Sequence, residues 1–135
     1  MASLVEILEH LHGTEKVYPQ NSYGTLLTSP ASVWGEGAYT VVIPANTITV
    51  PFDITKVNLT VSGFSGTIGC VRLYSGADGD EVLIAEVAVQ PAGIGEFIIS
   101  TPKITANAQI KATLACDSET SKTGYVVLSY HEHSA

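Results

Sequence analysis

Short stretches in which apolar and polar residues alternate, punctuated by turn residues, constrain this chain more than any other feature. Val57, Leu59 and Val61 alternate with Lys56, Asn58 and Thr60. Ile110, Ala112 and Leu114 alternate with Lys111 and Thr113, and Val126, Leu128 and Tyr130 with Val127, Ser129 and His131. Successive side chains on a strand point to opposite faces, so one apolar face at period two specifies antiparallel strands packed on one side. Eight candidate strands recur with turn signals between them: Tyr39–Ile43, Ile48–Phe52, Lys56–Ser62, Ile68–Ser75, Glu81–Val89, Glu96–Ser100, Gln109–Ala115 and Tyr125–His131. Gly76-Ala77-Asp78-Gly79-Asp80 reads as a hairpin turn, its Asp-Gly pair supplying the permissive backbone. The fold class that follows is all-β: an antiparallel two-sheet sandwich of about eight strands, jelly-roll-like. One echo fits two similar halves: Ile43-Pro44-Ala45-Asn46 returns as Ile104-Thr105-Ala106-Asn107.

Residues 1–37 read differently from residues 38–135, which form the expected sandwich domain. Ser3-Leu4-Val5-Glu6 matches a capping box, and Leu4, Ile7, Leu8 and Leu11 follow at helical spacing until Gly13. So short a helix does not hold in water alone, so something must cover its stripe. From Thr14 to Gly37 periodicity is lost among prolines, glycines and small polar residues, which predicts an extended arm, with room for a short strand around Tyr23–Thr28. Tyr18, Tyr23, Trp34 and Tyr39 crowd this stretch. They are read either as anchors for a partner or as cover for the sandwich's own flank; in both cases contacts, rather than a hydrogen-bond ladder of its own, would order the arm.

Composition narrows the function. Of the 135 residues only 14% are charged, against about 25% in an average soluble domain. Either 26 Ser and Thr wet the surface, or neighbouring subunits cover it. The net charge of −7, with Arg72 the only arginine, disfavours nucleic acid and anionic membranes as partners. No apolar run approaches the roughly 20 residues of a membrane span. Glu6 and Glu9 interrupt anything resembling a signal peptide, so folding in a cytoplasm is expected. Cys70 and Cys116 are then expected to be reduced, buried thiols, and the sequon at Asn58 to be bare.

The residues of chemical interest form no catalytic set. Gly-x-Ser-x-Gly is absent, and Gly63-Phe64-Ser65-Gly66 lacks the lysine and helix of a phosphate loop. His131 and His133 flank Glu132 and would share a strand face, a two-ligand start for zinc or nickel that wants a third ligand. His10 and His12, two apart on a helix, cannot chelate together. Asp78, Asp80 and Glu81 could hold calcium, although a solvated hairpin turn accounts for them better. The expectation is no enzyme, no cofactor and no metal.

Trp34-Gly35, Ile43-Pro44-Ala45-Asn46, Phe52-Asp53-Ile54, Leu73-Tyr74-Ser75-Gly76, Thr101-Pro102-Lys103-Ile104 and the closing Leu128-Ser129-Tyr130-His131-Glu132 resemble small β-sandwich virion proteins of tailed bacteriophages. Those are capsid-decoration or head- and tail-accessory subunits, commonly trimeric. The resemblance implies a virion protein made in the host's cytoplasm, with a larger capsid or tail as partner. The expected function is a structural subunit, a homotrimer docking through Leu4, Ile7, Leu8, Leu11, Tyr18, Tyr23, Trp34 and Tyr39. The alternative is a carbohydrate-binding module or adhesin on the same fold, with a host glycan as ligand.

Overall fold

Strand β9 (Thr123–Glu132) organises one face of the molecule in the computed structural model, which describes residues 15–20, 23–62, 68–89 and 95–133. On one side it pairs with the long β4 (Phe52–Ser62), which pairs in turn with β7 (Gly95–Ile98). On its other side lie β1 (Glu15–Tyr18) and β2 (Thr25–Thr28), end to end along the same edge. The second sheet runs β3 (Thr40–Ile43), β8 (Ile110–Cys116), β5 (Gly69–Ser75), β6 (Val82–Val89). All pairings are antiparallel, and every connection after β2 changes sheet except the β5–β6 hairpin. Counting β1 and β2 as one interrupted strand, the orders (β1/β2)-β9-β4-β7 and β3-β8-β5-β6 are those of a jelly roll.

The alternating residues fall where period two places them. Ile54, Leu59, Val126 and Leu128 from one sheet meet Val71, Leu73, Ile110 and Leu114 from the other in a shared buried core. Phe52 and Tyr130 add an edge-to-face pair at 6.0 Å. Full burial of each such aliphatic side chain contributes about 1.5–3 kcal/mol. The echo is spatial as well as sequential. Asn46 and Asn107 both adopt positive φ, 65° and 68°, and the Asn46 N–H donates to the Asn107 carbonyl at 3.1 Å. The two corners, each carrying the chain between sheets, therefore lie against each other.

Three expectations need correction. Ile48–Phe52 is not a strand: β4 begins only at Phe52, because residues 44–51 cross between sheets and the two prolines at their ends cannot donate to a ladder. Ile48 instead plugs the core, and its carbonyl accepts the Asn107 N–H at 2.8 Å. Within the arm, the short strand expected near Tyr23–Thr28 is β2, but residues 15–18 form a second, unforeseen one, and a hydrogen-bond ladder on β9 holds both. Gly24 makes that return possible: its φ is +121°, and a Cβ there would lie 2.3 Å from the Val126 carbonyl oxygen. The third concerns β8, whose outward Lys111 and Thr113 are as buried as its inward residues. The expected N-terminal helix, with Leu4, Ile7, Leu8 and Leu11, lies outside the described residues.

Candidate functional site

The middle of the second sheet's outer face, at Lys111, Thr113 and Tyr74, is covered by residues of the same chain. Register places Val41, Lys111, Tyr74 and Leu83 in one row across its four strands, with Thr113, Arg72 and Glu86 in the next. Glu36 reaches over from the segment before β3. It accepts hydrogen bonds from the Tyr74 hydroxyl and, at 2.8 Å, from Thr113, with the Arg72 guanidinium 3.7 Å away. The Tyr74 hydroxyl foremost, helped by Thr113 and Arg72, holds the Glu36 carboxyl below its ordinary range although burial opposes this. Burial and the same carboxylate push the Tyr74 phenol up to about 12. Tyr39 stands edge-on to Tyr74 at 4.9 Å, and its ring lies 5.6 Å from the Lys111 ammonium.

Lys111 also settles the acidic turn. With only 4% of its side chain exposed, it donates to Asp78 at 2.5 Å and to Glu81 at 2.9 Å. Both carboxylates are lowered, and the lysine raised, chiefly by these hydrogen bonds. An ammonium thus stands where a calcium ion would have to sit. Cys70 and Cys116 are free, on adjacent positions of paired strands whose side chains face opposite ways. Cys116 is buried and Cys70 only half so; burial is the main cause raising both thiols. A shallow depression of about 170 Å³ lined by Pro51, Lys103, Ile104 and Thr105 offers one cation and no carboxylate, imidazole or thiol.

The aromatic residues singled out in the sequence divide. Tyr18 packs against the core, and Tyr39 covers Tyr74 while remaining partly exposed. Tyr23 is 72% exposed, and Trp34 stands half out of the surface with its backbone at φ 57°. The Trp34 N–H donates to the Cys116 carbonyl at 2.8 Å, which pins that conformation. A positive φ on a bulky residue is a genuine outlier that costs about 1–2 kcal/mol. Here it presents an indole to solvent.

Sequence reasoning missed the edges. Val82 is 63% and Ile98 84% exposed, on β6 and β7, each of which pairs on one side only among the described residues. The signal was present. Val82-Leu83-Ile84 and Phe97-Ile98-Ile99 break the alternation, and three apolar residues in a row on a strand must send at least one outward. With Tyr23, Trp34 and Tyr39, and with Val17, Leu26, Val33, Val41, Ile68 and Leu83, Val82 and Ile98 make eleven large apolar side chains exposed among the described residues. His131 and His133 meet on the outer face of the first sheet, against Asp53.

No protein-family model and no curated protein matches the chain. Solved structures similar to it include the VP2 subviral particle of infectious bursal disease virus, at 16% identity and TM-score 0.49 over 90% of this chain. This chain spans 34% of that one. The nucleoplasmin-like N-terminal domain of Drosophila FKBP39 is similar at 18% identity and TM-score 0.37, covering 86% of this chain and 96% of that one. A Clostridium thermocellum xylanase 10B structure with CBM22-1 and GH10 modules is similar at 17% identity and TM-score 0.42, covering 86% of this chain and 28% of that one. The jelly-roll assignment rests on strand order and not on these likenesses.

Proposed function

We propose that this chain is a non-enzymatic structural subunit that associates with copies of itself and docks onto a larger assembly, most simply as a decoration or accessory protein of a phage virion. The set of exposed apolar side chains, in a chain with so few charges, carries this reading. Isolated apolar residues on a surface need no explanation, but strand edges that are unpaired among the described residues and bear Val82, Leu83 and Ile98 are surfaces that associate. Neighbouring copies would bury these edges around a symmetry axis, in a cyclic trimer, and specific contacts of this kind cover at least about 1,000 Å². The exposed Tyr23 and Trp34, with the apolar stripe of residues 1–13, would serve docking. The calcium-dependent sugar site of the alternative reading is not favoured, because Lys111 occupies the acidic turn.

Sedimentation at micromolar concentration tests the proposal: a trimer is expected, and a compact monomer would overturn it. Removing residues 1–37 would not isolate docking, since it strips β1 and β2 from β9. Removing residues 1–13 leaves every described strand in place, so that truncated chain should stay folded by circular dichroism yet fail to join its assembly.

A further inference from the structure

We infer that Asp53, His131 and His133 form a binding site for a divalent transition-metal ion of the zinc type. Asp53 on β4 and His131 on β9 are direct cross-strand partners on the outer face of the first sheet. His133 lies just past the end of β9, where its N–H donates to the Pro51 carbonyl at 2.8 Å and ties the chain beside the start of β4. The Asp53 Oδ1 consequently lies 2.7 Å from His133 Nε2 and 3.2 Å from His131 Nδ1. The imidazoles meet edge-to-face at 4.7 Å, and all three donor atoms lie within 4.8 Å of one another.

The donor chemistry selects the ion. Two ring nitrogens and one carboxylate oxygen suit Zn²⁺, Ni²⁺ or Cu²⁺, whereas Ca²⁺ and Mg²⁺ want an all-oxygen shell. Ligand atoms around a tetrahedral zinc, at bonds of about 2.1 Å, stand about 3.4 Å apart, so the cluster needs only small rotations to close on an ion. Neighbouring charges do not compete. Glu15, which faces His131 from β1, is held by Lys56 at 3.5 Å, and Glu132 is held by Lys16 at 3.1 Å. Asp53 is thereby left to the two imidazoles. All three side chains are partly exposed, so a fourth coordination position opens to water or to a donor from another molecule. An ion there would clip the last residues of β9 to β4, across 78 residues of sequence.

The test uses the full chain without an affinity tag, carrying His10→Ala and His12→Ala so that His131 and His133 are its only histidines. Zn²⁺ is titrated by calorimetry and Co²⁺ by its visible absorption. Saturable binding of one ion per chain is expected, with the intense Co²⁺ bands of four-coordinate geometry and a melting temperature raised by Zn²⁺ but not by Mg²⁺. Asp53→Asn, His131→Gln and His133→Gln should each weaken binding at least about 10-fold, while Glu132→Gln should not. Absence of saturable binding, fewer than one ion per chain, or affinity that the three substitutions leave unchanged would each overturn the site and leave a merely hydrogen-bonded surface cluster.

Discussion

At the scale of single residues, conformation and exposure diverge most at Trp34. A left-handed backbone under a large side chain is maintained only where its surroundings insist, here through the hydrogen bond to Cys116. Trp34→Gly and Trp34→Ala both remove the indole, but only the alanine keeps the unfavourable φ. We expect the glycine variant to be more stable than the alanine variant by about 1 kcal/mol in denaturant unfolding. Equal stabilities would mean that the backbone at this position carries no strain. Nothing local in Val33-Trp34-Gly35 announces a positive φ at the tryptophan. Asn46 and Asn107, by contrast, are residues that tolerate it, and the repeated Ile-x-Ala-Asn words marked both corners.

Among the elements, β8 is the most informative, because both its faces are covered. Its outward Thr113 and its neighbour Tyr74 satisfy the Glu36 carboxylate, and that coupling gives stability a dependence on pH at both ends of the scale. Glu36 titrates lower in the folded chain than in the unfolded one, so its contribution is present above the ordinary carboxylate range and is lost as pH falls through the lowered value. Tyr74 is raised to about 12, so its contribution is complete below the ordinary phenol value of about 10 and disappears as pH climbs through 12. Glu36→Gln should cost about 1 kcal/mol at neutral pH, a figure discounted for partial exposure, and should flatten the acid limb. Tyr74→Phe should flatten the alkaline limb between about pH 10 and 12; stability profiles that keep their shape in both variants would show that the triad does not act as described. Alternation in β8 revealed which residues point inward. That Lys111 and Thr113 would also be covered depends on a segment some 75 residues earlier folding over them, which no window of sequence displays.

For the whole molecule, the decisive quantity is how little charge must cover how much surface. Ile98 and Val82, exposed on strands that pair on one side only among the described residues, contribute nothing to a monomer, whereas burial of both between copies would contribute about 3 kcal/mol. Ile98→Glu together with Val82→Thr should therefore weaken self-association about 100-fold in sedimentation while leaving the melting of the sandwich nearly unchanged, because Glu at position 98 faces Lys56 on β4. An unaltered oligomer would place the interface elsewhere on the surface. Most strand positions, their inward faces, the hairpin turn and the sandwich class were legible from the sequence alone, since period two and turn chemistry are local properties; the exceptions were Ile48–Phe52, which is not a strand, and β1, which was not foreseen. Only the tertiary structure decided that residues 15–18 and 25–28 extend the sheet along β9, that a lysine takes up the acidic turn, and that Asp53 meets two histidines distant in sequence. Those outcomes depend on register between strands distant in sequence, and register is set by how two whole sheets pack rather than by any residue's neighbours along the chain.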